Sequence, residues 1–422
     1  MRLSNNLMYQ NNINKILDNQ QGVANAQERV TTGEKYLTTS EAPAAISQAM
    51  LYSNKIQTNE QYTKNIDQLT GRLETEESVL QSINSNIQQA QELTIQAGNG
   101  VYTKDDLKSI ASELSGIQQT LANLMNTRSE DGKFIFSGYQ DSTQPYQLES
   151  GEYNYKGDQG QHQITIAEGV SIKASDNGFD TFEKTDARLN VLDNKAEIPT
   201  TTPTNNITKG TVYVDGQAEF DKFHQAQYNA DPTTPVSPTA NTFSVVTTAG
   251  ATTNDPDTYE ILQDGMSLTP PQTGEFTDDT IEFAGMKIQF EGNAPGQLDF
   301  RLEKPYKENV LNTLQSLITG LNDGTLEGDD FQQVLADGLV QLQNASEQVV
   351  FTQASLGGRM NALERVSDSN LALDIQNKSN RSNLVEVDMA EAISELTKQE
   401  TALQASQATF GRLTNLSLFD YL

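Results

Sequence analysis

The sequence of 422 residues contains no cysteine. This absence excludes disulfide bonds, thiolate catalysis and cysteine-ligated metal sites. In an extracellular protein it also means that stability comes from packing and assembly instead of covalent cross-links.

Long apolar runs are missing as well. No stretch of about 18 apolar residues is present, so the sequence predicts no transmembrane helix. The amino-terminal segment MRLSNNLMYQNNINKILDN has no uninterrupted apolar core, so we expect no cleaved signal peptide.

Basic residues are scarce. The chain has 28 Lys and Arg against 57 Asp and Glu, which gives a formal net charge of -29 at pH 7. Binding to nucleic acid needs clustered Lys and Arg to neutralise phosphates, and anionic membranes attract the same residues. The sequence therefore predicts neither nucleic acid nor membrane as a partner.

Residue patterns typical of catalysis are also lacking. The two histidines, His162 and His224, have no adjacent Ser and no paired carboxylate at a known spacing, so both are predicted to be structural or surface residues. No Gly-rich phosphate loop, GxSxG or HExxH motif is present. The acidic run DGTLEGDD at 323–330 lacks the order of a calcium loop and is predicted to join two helices. We expect no enzyme activity, no cofactor and no metal site.

What the sequence does contain is a long helical pattern at its amino-terminal end. One apolar stripe recurs at intervals of seven and comprises Tyr9, Ile16, Val23, Val30 and Leu37. A second stripe comprises Tyr52, Ile66, Leu73, Leu80 and Ile87, and Asn59 interrupts it. Repeats of this length favour pairs of supercoiled helices. A third helix is predicted to open at Thr103, because Asp106 completes a capping box.

The middle of the chain has a different composition. Short alternating runs such as HQITIAEGVSIKAS, GTVYVDG, NTFSVVTT, TIEFAGMKIQFEG and QLDFRLE predict β-strands. Upstream of them, EDGKFIFSGYQ predicts a turn at Gly132 followed by a short strand.

Heptads return at the carboxyl end. Met389, Leu396, Leu403 and Phe410 form one stripe, and the apolar surface continues through Leu413, Leu416, Leu418, Phe419 and Leu422. An exposed apolar run of this kind marks a surface that something else covers. We expect the stripes of the two ends to pack on each other, both within one molecule and between neighbouring copies. An ordinary intramolecular bundle is the alternative.

The predicted fold class is α+β, with a long antiparallel coiled-coil rod formed by both termini and a β-rich outer domain inserted between the helical halves. The predicted domains are a terminal helix at 1–42, the first half of the rod at 43–141, the β-rich domain at 142–304, the second half of the rod at 305–375 and a terminal helix at 376–422.

Four segments resemble the bacterial flagellin family. They are the start MRLSNNLMYQ, the stretch ELTIQAGNG with DLKSIASELSGI after it, the segment LGGRMNALE and the ending LQASQATFGRLTNLSLFDYL. The closing SLFDYL is similar to the branch of that family that joins the flagellar hook to the filament. The resemblance covers roughly residues 1–140 and 305–422.

The resemblance implies a structural adaptor subunit, needed for filament assembly and swimming motility. Its implied partners are the junction protein on the hook side, flagellin, copies of itself in a ring, and an export chaperone at the carboxyl end. It implies an extracellular position at the hook–filament junction, reached through the flagellar type III channel. The alternative is flagellin, the filament subunit. A surface enzyme with helical stalks would need a catalytic cluster within 142–304, and the sequence has none.

Overall fold

The computed structural model describes residues 2–200, 205–230, 241–252, 255–263, 265–276 and 278–419, with side chains from residue 7 to residue 412 within those ranges. The helices are α1 (Arg2–Thr32), α2 (Pro43–Ala97), α3 (Lys104–Met125), α4 (Gln217–Gln227), α5 (Val310–Asn322), α6 (Gly328–Val385) and α7 (Met389–Phe419).

The strands all lie between α3 and α5 in the described part of the chain. They are β1 (Tyr146–Glu149), β2 (Glu152–Tyr155), β3 (Gln163–Ala167), β4 (Val170–Lys173), β5 (Lys195–Ala196), β6 (Ile207–Val214), β7 (Thr242–Thr248), β8 (Asp257–Gln263), β9 (Met266–Phe276), β10 (Thr280–Phe283), β11 (Met286–Gly292) and β12 (Gly296–Arg301). Long helices at both ends and β-structure between them confirm the predicted α+β class.

The chain divides into two compact units. The first contains the residues up to Gly71, the hairpin segment Gln163–Ile172 and the residues from Arg359 onward. The second contains Arg72–His162 and Lys173–Gly358. The helices α2 and α6 contribute to both units.

Buried apolar side chains at heptad positions hold the helices of the second unit together. Leu73, Leu80 and Ile87 of α2, predicted from their spacing of seven, are fully buried, as are Leu342 and Leu356 of α6. Two contacts show that the helices run antiparallel there. Ser346 of α6 donates to Asn84 of α2 at 2.7 Å, and a Cβ on Gly98, just after α2, would lie near Leu335 of α6. The second unit therefore has a conventional helical core.

Local signals in the sequence set the helix ends. Thr103 accepts from the Asp106 backbone N–H, and Asp106 accepts from the Thr103 backbone N–H at 2.9 Å, so the predicted capping box opens α3. The helix α2 ends at Ala97, and the chain continues into Gly98, Asn99 and Gly100. The acidic run at 323–330 does join two helices, α5 and α6.

Two four-stranded antiparallel sheets form the β-rich lobe, which we define as β5–β12 with α4. Their strand orders are β10-β11-β6-β5 and β12-β7-β8-β9. Both sheets contribute to one core, which contains Val212, Ile288, Phe243, Val245 and Leu298 among other buried side chains. All five predicted strand segments contain strands, whereas β1, β2, β5, β8 and β9 were not predicted. Pro270 and Pro271 obscure β9, and they are tolerated because β9 lies at a sheet edge.

Two local predictions were wrong, and one helix was missed. The stretch after Gly132 forms only an isolated bridge between Arg128 and Phe134, because its apolar side chains Phe134, Ile135 and Phe136 are all buried instead of alternating. The helix α4 was not predicted. The helix α1 ends at Thr32, where Gly33 adopts a positive φ of 72°, so Leu37 lies beyond the helix and does not continue its stripe.

Candidate assembly interface

The terminal helices α1 and α7 pack antiparallel in the first unit. At one end of the pair, the ring centroids of Tyr9 and Phe410 are 4.9 Å apart and their planes are inclined by 59°. Further along, the Asn19 side-chain amide donates to the Ser406 hydroxyl at 2.6 Å. The predicted contact between the two chain ends is therefore present within one molecule.

Small residues allow the two helices to approach closely in the middle of this pair. Ala26 of α1 and Ala392 of α7 are 7% and 6% exposed. A Cβ added at Gly22 would lie 2.9 Å from the side-chain oxygen of Gln399, which shows how near the facing helix is. Close approach of this kind gains dispersion contacts but buries little apolar area.

Backbone pairing closes the pair at its other end. The Lys35 N–H donates to the Val385 carbonyl at 2.7 Å, and the Val387 N–H donates to the Gly33 carbonyl at 2.9 Å. Glu34 and Glu386 form an antiparallel bridge at the same place. The end of α1 is thus tied to the connection between α6 and α7.

We call this contact between α1 and α7 the seam, and the predicted stripe residues Tyr9 and Phe410 meet in it. The half-buried stripe residues are Ile16, Val23 and Val30 on α1, and Leu396, Leu403 and Phe410 on α7. Tyr9 and Met389 are 41% and 46% exposed. Leu37 is half-buried in the connection after α1. The side chains of Leu413, Leu416, Leu418 and Phe419, and all of Leu422, lie outside the described residues.

A second set of apolar side chains on the same helices faces solvent. We call it the open face, and its members are Leu7, Met8, Ile13, Leu17 and Ile393. Their exposed fractions run from 40% at Ile13 to 64% at Leu7. These positions do not belong to the seven-residue interval that defines the stripe of each helix, so that interval does not identify them. The signal was available, since α1 carries apolar residues off its stripe as well as on it.

Burial differs sharply between the two helical regions. Among the described side chains of α1 and α7, only the two alanines are fully buried, whereas α3 and α5 bury Leu114, Leu121 and Leu311 completely. Large apolar side chains left exposed along paired helices are typical of an interaction surface. The terminal pair therefore leaves large apolar side chains exposed that its own packing does not cover.

Few charges lie on this surface, and those present are exposed. Arg29 pairs with Glu41 at 3.2 Å. On α7, hydrogen bonds from Gln399 and Lys398 lower the pKa of the Glu395 carboxyl. Exposed pairs of this type contribute little to stability. Apolar burial therefore dominates what this surface can do.

Neither histidine belongs to a catalytic arrangement. His224 is buried beneath Tyr228, which stacks on it at 5.0 Å, and burial lowers its pKa. His162 lies 3.6 Å from Asp141 and packs edge-on against Tyr139. Within the described ranges, no group of three His, Asp or Glu side chains could hold a metal ion. No described helix is long and apolar enough to cross a membrane.

Comparison with known proteins places both ends of the chain in one family. Residues 3–141 match the bacterial flagellin N-terminal helical region, and residues 339–422 match the bacterial flagellin C-terminal helical region. Together the two regions cover just over half of the sequence. The chain belongs to the bacterial flagellin family. The match leaves out the β-rich lobe, and it includes both helices of the seam.

Individual relatives fall into two groups. Flagellar hook-associated protein 3 of Escherichia coli (strain K12) is 37% identical over 153 residues, which are 36% of this chain and 48% of the relative. Phase 1 flagellin of Salmonella naestved is 29% identical over 131 residues, which are 31% of this chain and 25% of the flagellin. The chain thus spans about half the length, or less, of the curated relatives it matches.

A solved structure shares the fold. The flagellar junction protein FlgL from Legionella pneumophila superposes with a TM-score of 0.54 and 21% identity. The superposition covers 80% of this chain and 99% of that structure. At this identity the likeness concerns the fold alone, and it extends beyond the two regions that sequence comparison matches.

Proposed function

We propose that this protein is a structural adaptor subunit that joins the flagellar hook to the flagellin filament. Its relatives carry the name flagellar hook-associated protein 3, and a solved structure with the same fold carries the name flagellar junction protein. The ending SLFDYL agrees with the junction branch of the family. On this proposal the protein is needed for filament assembly and swimming motility.

The open face is the observation that carries the proposal. A protein that worked alone would gain by burying Leu7, Leu17 and Ile393 in its own core, since each such side chain contributes about 1.5 to 3 kcal/mol when fully buried. Here the terminal helices leave them in water and bury only small residues against each other. Neighbouring subunits that cover the open face would recover that free energy at every contact.

The seam and the open face have different tasks in this proposal. The seam, with Tyr9 and Phe410 at one end, holds the terminal helices of one molecule together. The open face contacts copies of the same protein in a ring, the hook-side junction protein on one side and flagellin on the other. The apolar carboxyl-terminal segment 413–422 is the part of the sequence that an export chaperone would cover before assembly.

Substitution on the open face tests this assignment. In a strain of the source bacterium that lacks the native gene, we expect Leu17→Gln with Ile13→Gln to restore secretion but not attached filaments. Flagellin should then appear in the medium. Asn14→Gln is the matched control, because Asn14 is exposed on the same helix and the change keeps it polar. Attached, motile filaments from a secreted double variant would contradict the proposal.

Flagellin itself is the second candidate, because a flagellin also matches part of this chain. The two candidates differ in whether the purified protein polymerises freely. An adaptor is expected to form no long filaments at concentrations at which a flagellin does, since its copies form only a ring between two different proteins. Long filaments from this chain alone, seen by electron microscopy, would favour flagellin.

A further inference from the structure

Two antiparallel linkers connect the β-rich lobe to the helices of the second unit. The outgoing linker is 185–191 and the returning linker is 302–308, and we call the two together the stem. The Glu308 N–H donates to the Thr185 carbonyl at 3.0 Å, the Ala187 N–H to the Tyr306 carbonyl at 3.1 Å and the Glu303 N–H to the Asn190 carbonyl at 2.9 Å. A two-stranded connection of this kind carries no apolar core of its own.

One buried cation, Arg188, lies in the outgoing linker. Its side chain is 3% exposed. One terminal nitrogen donates to Asp337 at 2.7 Å and to Gln333 at 2.8 Å, both on α6. The other donates to the Val214 carbonyl at the end of β6 at 2.6 Å, and Nε donates to Gln217 at the start of α4.

These contacts join the lobe to α6. Arg188 binds β6 and α4, which belong to the lobe, and with the same guanidinium it binds two side chains of the helix. Gln333 reinforces the bridge, because its amide donates to the same Val214 carbonyl at 3.1 Å. The planar guanidinium suits this role, since its five donors have fixed directions.

The other contacts between the lobe and α6 are polar and more exposed. The Tyr213 hydroxyl donates to Asp330 at 2.8 Å, and Lys287 pairs with Asp329 at 3.0 Å. The Asn344 amide of α6 donates to the Asp186 carbonyl of the stem at 2.8 Å. Polar interfaces of this type between parts of a chain permit relative motion.

Negative charge surrounds the single buried cation. Burial raises the pKa values of the Asp337, Glu303 and Glu308 carboxyls, and Arg188 opposes this effect at Asp337. Outside the buried cluster, Lys307 pairs with the exposed Asp186. Removing the Arg188 charge would therefore leave the half-buried Asp337 carboxylate without its cation.

We propose that Arg188 is a latch that fixes the β-rich lobe on α6, so that the orientation of the lobe depends on one buried cation. With the latch closed, the lobe presents the same surface outward in every subunit. With the latch open, the stem becomes a hinge and the lobe moves on an otherwise intact molecule.

The absence of cysteine makes the test direct, because two engineered cysteines are the only sites that a thiol label can reach. Thr258→Cys on β8 and Ser355→Cys on α6 are exposed positions in the lobe and the helix. Spin labels at both sites report the distance between lobe and helix by pulsed electron paramagnetic resonance. We expect one narrow distance distribution with Arg188 present and a broad or double one after Arg188→Gln.

Further variants separate the latch from general effects of charge or folding. Lys209→Gln removes one positive charge from an exposed pair on β6 and should leave the distribution narrow. Arg188→Lys keeps the positive charge but loses the planar guanidinium with its several donors, so it should broaden the distance distribution. If Arg188→Gln fails to fold, Asp337→Asn tests the same bridge in a milder way. A narrow distribution in folded Arg188→Gln or Asp337→Asn protein would overturn the proposal, as would equal broadening by Lys209→Gln.

Discussion

The position of Asn59 in its heptad could be predicted from the sequence, but its hydrogen-bond partner could not. Its spacing identified it as a polar interruption in the second stripe. In the first unit its buried amide donates to the Asn370 carbonyl of α6 at 2.6 Å, and the Asn370 amide donates to the Ile166 carbonyl of β3 at 2.8 Å. A buried polar residue of this kind fixes helix register. Spacing could locate Asn59, but its partner Asn370 is 311 residues away in sequence.

Glu183 is a second residue whose environment the sequence did not indicate. It ends the short helical turn 179–183. Burial raises the pKa of its carboxyl above the usual 4.5, although hydrogen bonds from Tyr146 and Asn309 oppose the shift. A carboxyl with a raised pKa in the folded state binds its proton more tightly there than in the unfolded chain. The protonated Glu183 carboxyl therefore makes its full contribution to stability below about pH 4.5. That contribution is lost as the pH rises through the pKa that the carboxyl has in the folded protein.

We predict that Glu183→Gln raises the melting temperature at pH 8 and leaves it nearly unchanged at pH 4. The neutral amide removes the cost of a buried charge, and that cost exists only where the parent carboxyl is ionised. Thermal unfolding followed by circular dichroism across this range gives the difference between variant and parent. Glu77→Gln, an exposed change on α2 with the same charge effect, should show no such trend. A difference that does not depend on pH would contradict the assignment.

At the scale of elements, periodicity predicted the paired helices well. The seven-residue spacing identified α1, α2 and α7, because apolar residues recur along each of these helices. It could not locate the end of α1 at Thr32, since the apolar spacing continues to Leu37 after the backbone has turned at Gly33. The open face was missed for a related reason, because exposure depends on where the partner helix lies.

Two glycines of α6 allow a matched test of packing. A Cβ added at Gly338 would lie 2.3 Å from Leu317 of α5, whereas one added at Gly357 would meet nothing within 4 Å. We therefore expect Gly338→Ala to destabilise the protein by about 1 to 3 kcal/mol through overpacking. Gly357→Ala should stabilise it by about 0.5 to 1 kcal/mol, because alanine is the better helix former. Urea unfolding measures both changes, and a shift of the same sign in both would show that close packing of α5 against α6 does not decide stability here.

At the scale of the whole molecule, composition gave no information on the position of the contacts. The net charge of -29 argues against nucleic acid as a partner, but it does not indicate that the terminal helices expose large apolar side chains. The attachment of the β-rich lobe was beyond sequence analysis, because Arg188 contacts residues up to 149 positions away. The residues next to Arg188 in the sequence do not indicate that its side chain is buried.

The two compact units should also differ in how easily they open in the isolated protein. Helices α1 and α7 bury only two alanines fully against each other, whereas α3 and α5 have a complete apolar core. Segments with few buried contacts open with a small free energy and are cut first by proteases.

We predict that limited proteolysis of the monomer trims both ends and leaves a core from about residue 45 to about residue 375. Mass spectrometry of the fragments identifies the cut sites, and hydrogen exchange should show faster exchange in α1 and α7 than in α3 and α5. Protein incorporated into assembled flagella is the control, because neighbouring subunits would then cover the open face and protect both ends. Termini in the monomer that resist cleavage as well as the β-rich lobe does would mean that the seam alone stabilises them, and the exposed side chains would then need no partner.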